Sequence, residues 1–284
     1  MQAAMLKAPG HLDIGEHPTP SCPPEGVLVR VRACGICGAD VKMVSQGHRA
    51  LVYPRIPGHE IAGRVIESRT PAFQSGDRVQ VAPGLRCGVC RDCRRRADNQ
   101  CENREILGFT RDGGFADYLP VPMGGGLCGA LQRLPADLPW HLAALSEPVA
   151  CCINAQARIG VHPEDAVLVV GAGPLGLMQC AVARSRGAAP LLVLETLETR
   201  RRSAVPDWSD AAFDPEDPHW PDRIREAAGG RGVDVLIFAA SGIGWRPEWL
   251  SILAPRGRIS FFSGNPPEAV DLQFDANLIH YNEV

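Results

Sequence analysis

The stretch from Ala166 to Glu195 constrains this chain more than any other. It opens on Ala166-Val167-Leu168-Val169-Val170, a short apolar, β-branched run of strand type. Gly171-Ala172-Gly173-Pro174-Leu175-Gly176 follows, a G-x-G-x-x-G, and then an apolar helical segment, Leu177–Ala183, ending near Gly187. A second strand, Leu191–Leu194, stops at Glu195, 19 residues past Gly176. Gly171 permits the tight turn off the strand, Gly173 lets backbone approach a pyrophosphate, and Gly176 lets the helix pack closely on the strand. The helix start offers unpaired N–H groups and the positive end of its dipole to that pyrophosphate. Glu195 stands where a carboxylate accepts hydrogen bonds from ribose hydroxyls. A glycine triplet alone is an ordinary turn. With strand, helix, second strand and acid in register, it predicts a dinucleotide site built on Gly171, Gly173, Pro174, Leu175, Gly176 and Glu195.

The rest of the chain divides around that unit. From residue 166 onward strands alternate with helices: Val233–Ala239, a helix over roughly Trp245–Leu253, then Arg258–Ser263. That alternation predicts a parallel, doubly wound sheet. Residues 1–150 carry Gly, Pro and short strand-like runs, among them Val27–Arg32, Ile61–Ile66 and Arg78–Val81, which predict an irregular β-rich domain. Residues 141–159 read as helical, with Pro148 kinking or interrupting them. The chain is long enough for two domains, expected at 1–150 and 151–284.

The strongest metal signal is Cys87-x2-Cys90-x2-Cys93-x7-Cys101, in a lobe of about residues 84–104. Four thiolates this close can close a tetrahedral shell around one Zn²⁺, a structural site. Scattered free thiols or an iron–sulfur cluster are the alternatives. Arg91, Arg94, Arg95 and Arg96 interleave with the ligands and invite a nucleic-acid reading. No aromatic residue sits among them to stack a base, so a solvated charged face is expected instead. A formal charge of −3 adds no argument for nucleic acid or an anionic membrane. No apolar run approaches the ~20 residues that span a bilayer, and no signal-peptide pattern opens the chain; a cytoplasmic location is expected. Cysteines at ligand spacing in such a chain point to metal rather than to disulfides.

A second constellation is Cys37-Gly38-Ala39-Asp40 with Gly58-His59-Glu60. Each part is weak alone. Together with the four-cysteine lobe, the dinucleotide fold, Gly76-Asp77-Arg78-Val79, Gly113–Tyr118 and Glu147-Pro148, they resemble the zinc-dependent medium-chain dehydrogenase/reductase superfamily. The Glu-Pro pair and the Gly-His-Glu triplet are most similar to its polyol (sorbitol) and threonine dehydrogenase branch, including cyclitol-oxidising relatives. The resemblance implies an α/β protein with a GroES-like β-rich catalytic domain and a Rossmann domain. It implies two Zn²⁺ per chain, NAD, and a small alcohol or ketone substrate. Cys37 and His59 become ligands of a catalytic zinc, with Glu60 or Glu147 the third, and Asp40 orients the histidine. A metal there polarises the substrate oxygen while the substrate carbon gives a hydride to the nicotinamide ring. Glu195 favours NAD over NADP, although Arg200, Arg201 and Arg202 nearby could reach a 2′-phosphate; Arg200 is the candidate cofactor contact.

Other residues tempt less. Cys34 has redox spacing to Cys37, which the metal claims; Cys151, Cys152 and Cys180 read as packing; Lys42 and His48 could face the site; His11, His17, His141 and His219 have no partner pattern. The chain departs from the family in several places, among them a shorter linker at Ser68-Arg69-Thr70-Pro71-Ala72. Ala39 stands where a Ser or Thr hydroxyl generally begins the proton relay, so a nucleotide- and zinc-binding protein of impaired activity is the competing expectation. Pro206 should end the helix that Arg200–Arg202 start, leaving a third strand of at most Ala211–Phe213. Beyond Leu278–Val284 the family continues into a strand that commonly builds its dimer interface, so an open sheet edge is expected beside 258–263.

Overall fold

The structure, a computed structural model, describes residues 1–124, 128–243, 246, 248–264 and 275–284. They divide into two compact units, Met1–Glu147 and Pro148–Val284.

In the first unit β1 (Gln2–Ala8) and β2 (His11–Glu16) form a hairpin. The main sheet contains β3 (Gly26–Gly35), β4 (Glu60–Ser68), β5 (Arg78–Arg86), β6 (Glu105–Ile106) and β7 (Tyr118–Pro122), in the order β6-β5-β4-β3-β7; β8 (Cys128–Arg133) also pairs β5. All these pairings are antiparallel. Alternate residues supply the core: Val27 and Val29, Val79 and Val81, Leu119 and Val121. That period of two is what a sheet with one buried face requires. Each such side chain, fully buried, contributes ~1.5–3 kcal/mol. The strands outrun the expected apolar runs because ladder pairing continues through Gly35, Ser68 and Gly84, which hydrophobicity does not mark. A helix, α1 (Gly38–Gln46), follows β3, and a short one, α2 (Arg91–Arg94), sits in the cysteine lobe.

The helical stretch around Pro148 is two helices, α3 (Trp140–Ala144) and α4 (Ser146–Ile159). Pro148 falls in the first turn of α4, where no N–H is needed for an intrahelical bond. The proline starts a helix here.

The second unit is a five-stranded parallel sheet in the order β11-β10-β9-β12-β13. Its strands are β9 (Val167–Val170), β10 (Leu191–Leu194), β11 (Ala211–Phe213), β12 (Val233–Phe238) and β13 (Leu253–Phe261). Every residue of β9 and β10 is buried. Leu168, Val170, Leu192 and Leu194 pack into one core, Val167, Val169, Leu191 and Val193 into another. Continuous apolar runs are what a parallel sheet covered on both faces demands. Helices α5 (Pro174–Ser185), α6 (Glu198–Ala204), α7 (Trp220–Ala227), α8 (Glu248–Ser251) and α9 (Ala276–Asn282) complete the unit. Helix α6 ends at Ala204, ahead of Pro206, as expected. The helix expected over Trp245–Leu253 is shorter, because Leu253 pairs with Val233 and already belongs to β13; residues 244, 245 and 247 lie outside the described residues. The strand expected at Arg258–Ser263 therefore begins five residues earlier. Among the described residues no helix is long and apolar enough to cross a membrane.

Candidate metal and cofactor sites

In the first unit, Gly35 at the end of β3 pairs with Glu60 at the start of β4. This register brings Cys37, just past β3, to His59 and Glu60, although the sequence separates them by more than twenty residues. One ligand atom from each of Cys37, His59 and Glu60 lies within 4.8 Å of the others. Glu147, the alternative third ligand, is outside that group, but its charge is felt by Glu60. Gly35 makes the arrangement possible: a Cβ there would meet Glu60 Oε2 at 1.9 Å.

Asp40 holds the cluster in shape. It is the third residue of α1, and its Oδ2 accepts the Cys37 N–H at 2.8 Å, a capping bond that fixes the ligand's backbone. Its Oδ1 accepts the Gly58 N–H at 3.2 Å and stands 3.5 Å from His59 Nδ1. His59 is 7% exposed, and that nitrogen has no hydrogen bond of ordinary geometry. Burial opposes protonation of His59, but Asp40 and Cys37 outweigh it and push its pKa up to about 10. Burial also raises Glu60 above its usual range; His59 pulls it down, while Glu147 and Asp40 add to the rise. A thiolate, an imidazole and a carboxylate, with a buried acid behind the imidazole, fit Zn²⁺.

The sequence reading missed Phe109. Its ring packs on His59 at 5.2 Å between centroids, and His48 meets it edge-on at 5.4 Å. Nothing in the sequence marks it, because it comes from a loop after β6. Of Lys42 and His48, the two residues that could face the site, His48 packs on Phe109.

Cys87, Cys90, Cys93 and Cys101 also converge, with one sulfur from each within 4.8 Å of the others. Cys87 and Cys101 sulfurs are 3.6 Å apart. The backbone N–H of Cys87 donates to Cys101 Sγ at 3.4 Å, and that of Cys93 to Cys90 Sγ at 3.5 Å. Backbone N–H donors at Val89 and Cys90 pull Cys87 down to about 6, while burial among the other sulfurs pushes Cys93 up to about 12. Four sulfurs with N–H donors turned to them fit a closed zinc shell. Several arginines of this lobe serve its own structure: Arg94 donates to Val89 O at 2.7 Å, Arg104 to Asn99 O, and Arg86 pairs with Asp98.

Cys34 is a half-buried thiol that burial pushes up to about 12, and Cys180 is buried with the same consequence, so neither is a nucleophile. Both read as packing groups, in keeping with their apolar surroundings.

In the second unit the glycine turn joins β9 to α5. Gly171 has φ of 102°, and a Cβ there would meet Ala240 Cβ at 2.8 Å. At Gly176 a Cβ would meet Gly171 O at 1.9 Å, so helix and strand pack at a distance only glycine allows. Gly173 is the N-cap of α5, Pro174 opens the helix and Leu175 follows. Beside the turn, at the point where the strand order reverses, lies a cavity of about 370 Å³; Gly171, Glu195, Thr196, Arg200, Ser241 and Arg246 are among its walls. This is where a parallel sheet of this order receives a nucleotide, and the glycine cradle fits one.

Glu195 lines the cavity, yet much of its carboxylate is already used. Oε2 accepts the Ala172 N–H at 2.8 Å; Oε1 accepts the Leu197 N–H at 3.0 Å and the Thr196 hydroxyl at 3.1 Å. Burial would raise its pKa, but these bonds and Arg200, 3.7 Å from Oε2, hold it below its usual range. The residue therefore fixes the glycine turn as well as facing a ribose. The three arginines separate. Arg200 faces the cavity, Arg201 donates to the carbonyls of Glu195 and Thr196 and pairs with Asp214, and Arg202 pairs with Glu198. Arg246, also on the cavity wall, was not anticipated.

Residues 23–128 match the alcohol dehydrogenase GroES-like domain. A D-altritol 5-dehydrogenase of Agrobacterium fabrum is 37% identical over 207 residues, 70% of this chain and 60% of that protein. An L-threonine 3-dehydrogenase of Pyrococcus horikoshii is 33% identical over 285 residues, 98% of this chain and 80% of that protein. A solved zinc-binding dehydrogenase from Sinorhizobium meliloti 1021, bound to NADP, has a TM-score of 0.86 at 28% identity, covering 99% of this chain and 82% of that one. With the GroES-like match over residues 23–128 and similarity to a threonine dehydrogenase along nearly its whole length, the chain belongs to the polyol and threonine dehydrogenase-like branch of the zinc-type alcohol dehydrogenases, a family of alcohol oxidoreductases.

Proposed function

We propose that this protein oxidises a secondary alcohol on a polyol, cyclitol or amino-alcohol, with zinc at Cys37, His59 and Glu60 and with NAD. The convergence of those three ligand atoms within 4.8 Å, backed by Asp40, carries the reading. Relatives named as altritol, threonine and sorbitol dehydrogenases support the substrate class. When bound, zinc supplies Lewis-acid polarisation of the substrate oxygen and the nicotinamide accepts the hydride. The chain supplies the rest. Asp40 fixes the backbone of Cys37 and faces Nδ1 of His59, leaving Nε2 as the ligand nitrogen. Phe109 covers the imidazole and keeps water from that side. A second zinc belongs to Cys87, Cys90, Cys93 and Cys101, where it orders the lobe and touches no substrate.

Ala39 favours a second reading, a nucleotide- and zinc-binding protein with little turnover, because no hydroxyl there can take the substrate proton. Turnover of a panel of polyols, cyclitols and threonine, run alongside cofactor titration, separates the two. Binding of cofactor and two zinc ions per chain without turnover of any of them rejects the first reading. Ala39→Ser should raise turnover, by less than the ~10²–10⁴-fold typical of acid–base assistance if water already carries the proton.

Glu195 at the cavity supports a preference for NAD(H) over NADP(H) of at least ~1.4 kcal/mol, about tenfold. Paired titrations of NADH and NADPH check it. Tighter binding of NADPH would mean that Arg200 and Arg246 govern the ribose end of the cavity.

A further inference from the structure

We infer that His48 is a substrate-positioning residue of this site, hydrogen-bonding a hydroxyl or other polar group remote from the carbon being oxidised. The inference rests on the substrate class proposed above. His48 lies in the segment after α1, and two contacts fix its ring. Its edge meets Phe109 at 5.4 Å between centroids with an interplanar angle of 78°, and its Nδ1 accepts the Ala50 N–H at 3.1 Å.

The second contact sets the tautomer. An imidazole nitrogen that accepts a backbone N–H carries no proton, so in neutral His48 the proton is on Nε2. No hydrogen bond among the described residues engages that nitrogen, and the side chain is exposed. His48 is therefore a donor oriented by its own loop and available to a ligand.

Phe109 ties this donor to the metal-ligand cluster. Its other neighbour is His59, at 5.2 Å, so one aromatic ring touches both the donor and a ligand of the proposed metal. These two ring contacts place His48 beside the ligand group, to which it does not itself belong. They put it within reach of a group several carbons along a substrate whose reacting oxygen sits at Cys37, His59 and Glu60. Ala39, between Cys37 and Asp40, has no hydrogen-bonding group. A simple secondary alcohol carries no second polar group for His48 to bond. A polyhydroxy substrate would need His48 to satisfy a hydroxyl that leaves water.

The test compares zinc-loaded wild type, His48→Ala and His48→Gln. Steady-state kinetics on sorbitol, myo-inositol, threonine and propan-2-ol are paired with calorimetric binding of the same compounds in the presence of NADH. Zinc content and Tm serve as controls for folding. For whichever polyhydroxy or amino-alcohol compound the wild type uses, His48→Ala should raise KM and calorimetric Kd about tenfold, with kcat changed by less than about threefold. Propan-2-ol should be handled as by wild type, and His48→Gln, whose carboxamide N–H can replace Nε2–H, should recover most of the loss. An equal loss on propan-2-ol, an unchanged KM, or no rescue by Gln overturns the assignment. If wild type neither binds nor turns over any of the three polar compounds, the proposed substrate class falls and His48 falls with it. If wild type uses one of them and His48→Ala does so equally well, only the role of His48 is lost.

Discussion

Gly35 shows how a residue with no side chain of its own can shape a site. A methyl group there would collide with the end of the Glu60 side chain at 1.9 Å, while its contacts with the Glu60 stem are 3.0 and 3.1 Å. The carboxylate is the flexible partner, so the fold should survive Gly35→Ala and the ligand should move. We expect a stability change within ~1 kcal/mol and zinc content falling from two per chain towards one, read by metal analysis of freshly purified protein. Retention of both ions with Glu60 displaced would show that another group, Glu147 foremost, completes the site. Glu195 gives a pH-dependent case. Its folded pKa lies below the usual carboxylate value, so its ionised form stabilises the native state, fully so above the unfolded value near 4.5. That contribution is lost as pH falls through the depressed folded value. Glu195→Gln should therefore cost about 1–2 kcal/mol near neutral pH, and its urea midpoint should approach that of wild type only below about pH 4.5. A gap that stays constant into acid would mean the carboxylate contributes through shape rather than charge.

The cysteine lobe is the element expected to depend most on a bound metal ion. Helix α2 has four residues and is followed by a three-residue 3₁₀ turn, far short of the length at which a helix stands alone in water. Its sulfurs converge, but apart from metal the lobe is held only by a few backbone bonds and ion pairs such as Arg86–Asp98. Replacing Cys101 with Ser should lower Tm and open residues 88–100 to protease, while leaving the Cys37 zinc in place. A lobe that resists protease after its zinc is removed would contradict the assignment. The turn into α5 is rigid for a different reason. Gly176→Ala sets a methyl group against the backbone carbonyl of Gly171, which has no flexible side chain to move away. Strand and helix must separate, at an expected cost of ~1–3 kcal/mol as for an overpacked core. NADH affinity, measured by fluorescence titration, should fall at least about tenfold.

For the molecule as a whole, the outer strand of the parallel sheet is where association with another chain is expected. Among the described residues β13 pairs with β12 alone. The first part of the strand is guarded: Pro255 has no N–H to donate, and Arg256, with φ of 63°, breaks the extended line. The last part, Ile259-Ser260-Phe261, is regular, and Phe261 is 45% exposed. The backbone of an edge strand can pair with another chain. Association should rise with concentration, which size-exclusion chromatography with light scattering can follow. A monodisperse monomer across micromolar to millimolar protein would rule this out.

Much of this protein was legible before folding was considered. The parallel unit announces itself because a strand buried on both faces must be apolar throughout, and because the glycine turn admits few substitutes at Gly171 and Gly176. The four-cysteine lobe is legible because its ligands are close in sequence, so spacing alone encodes geometry. Cys37 and His59 became readable only through resemblance, since their partnership depends on the β3–β4 register. That register also brings Glu60 beside Cys37 and His59, in a group that does not include Glu147. Tertiary structure alone separated Arg200 from Arg201 and Arg202, because helix α6 turns successive side chains to different sides. It alone placed Phe109 and His48 beside the ligands, for ring contacts between distant loops leave no periodic trace in a sequence.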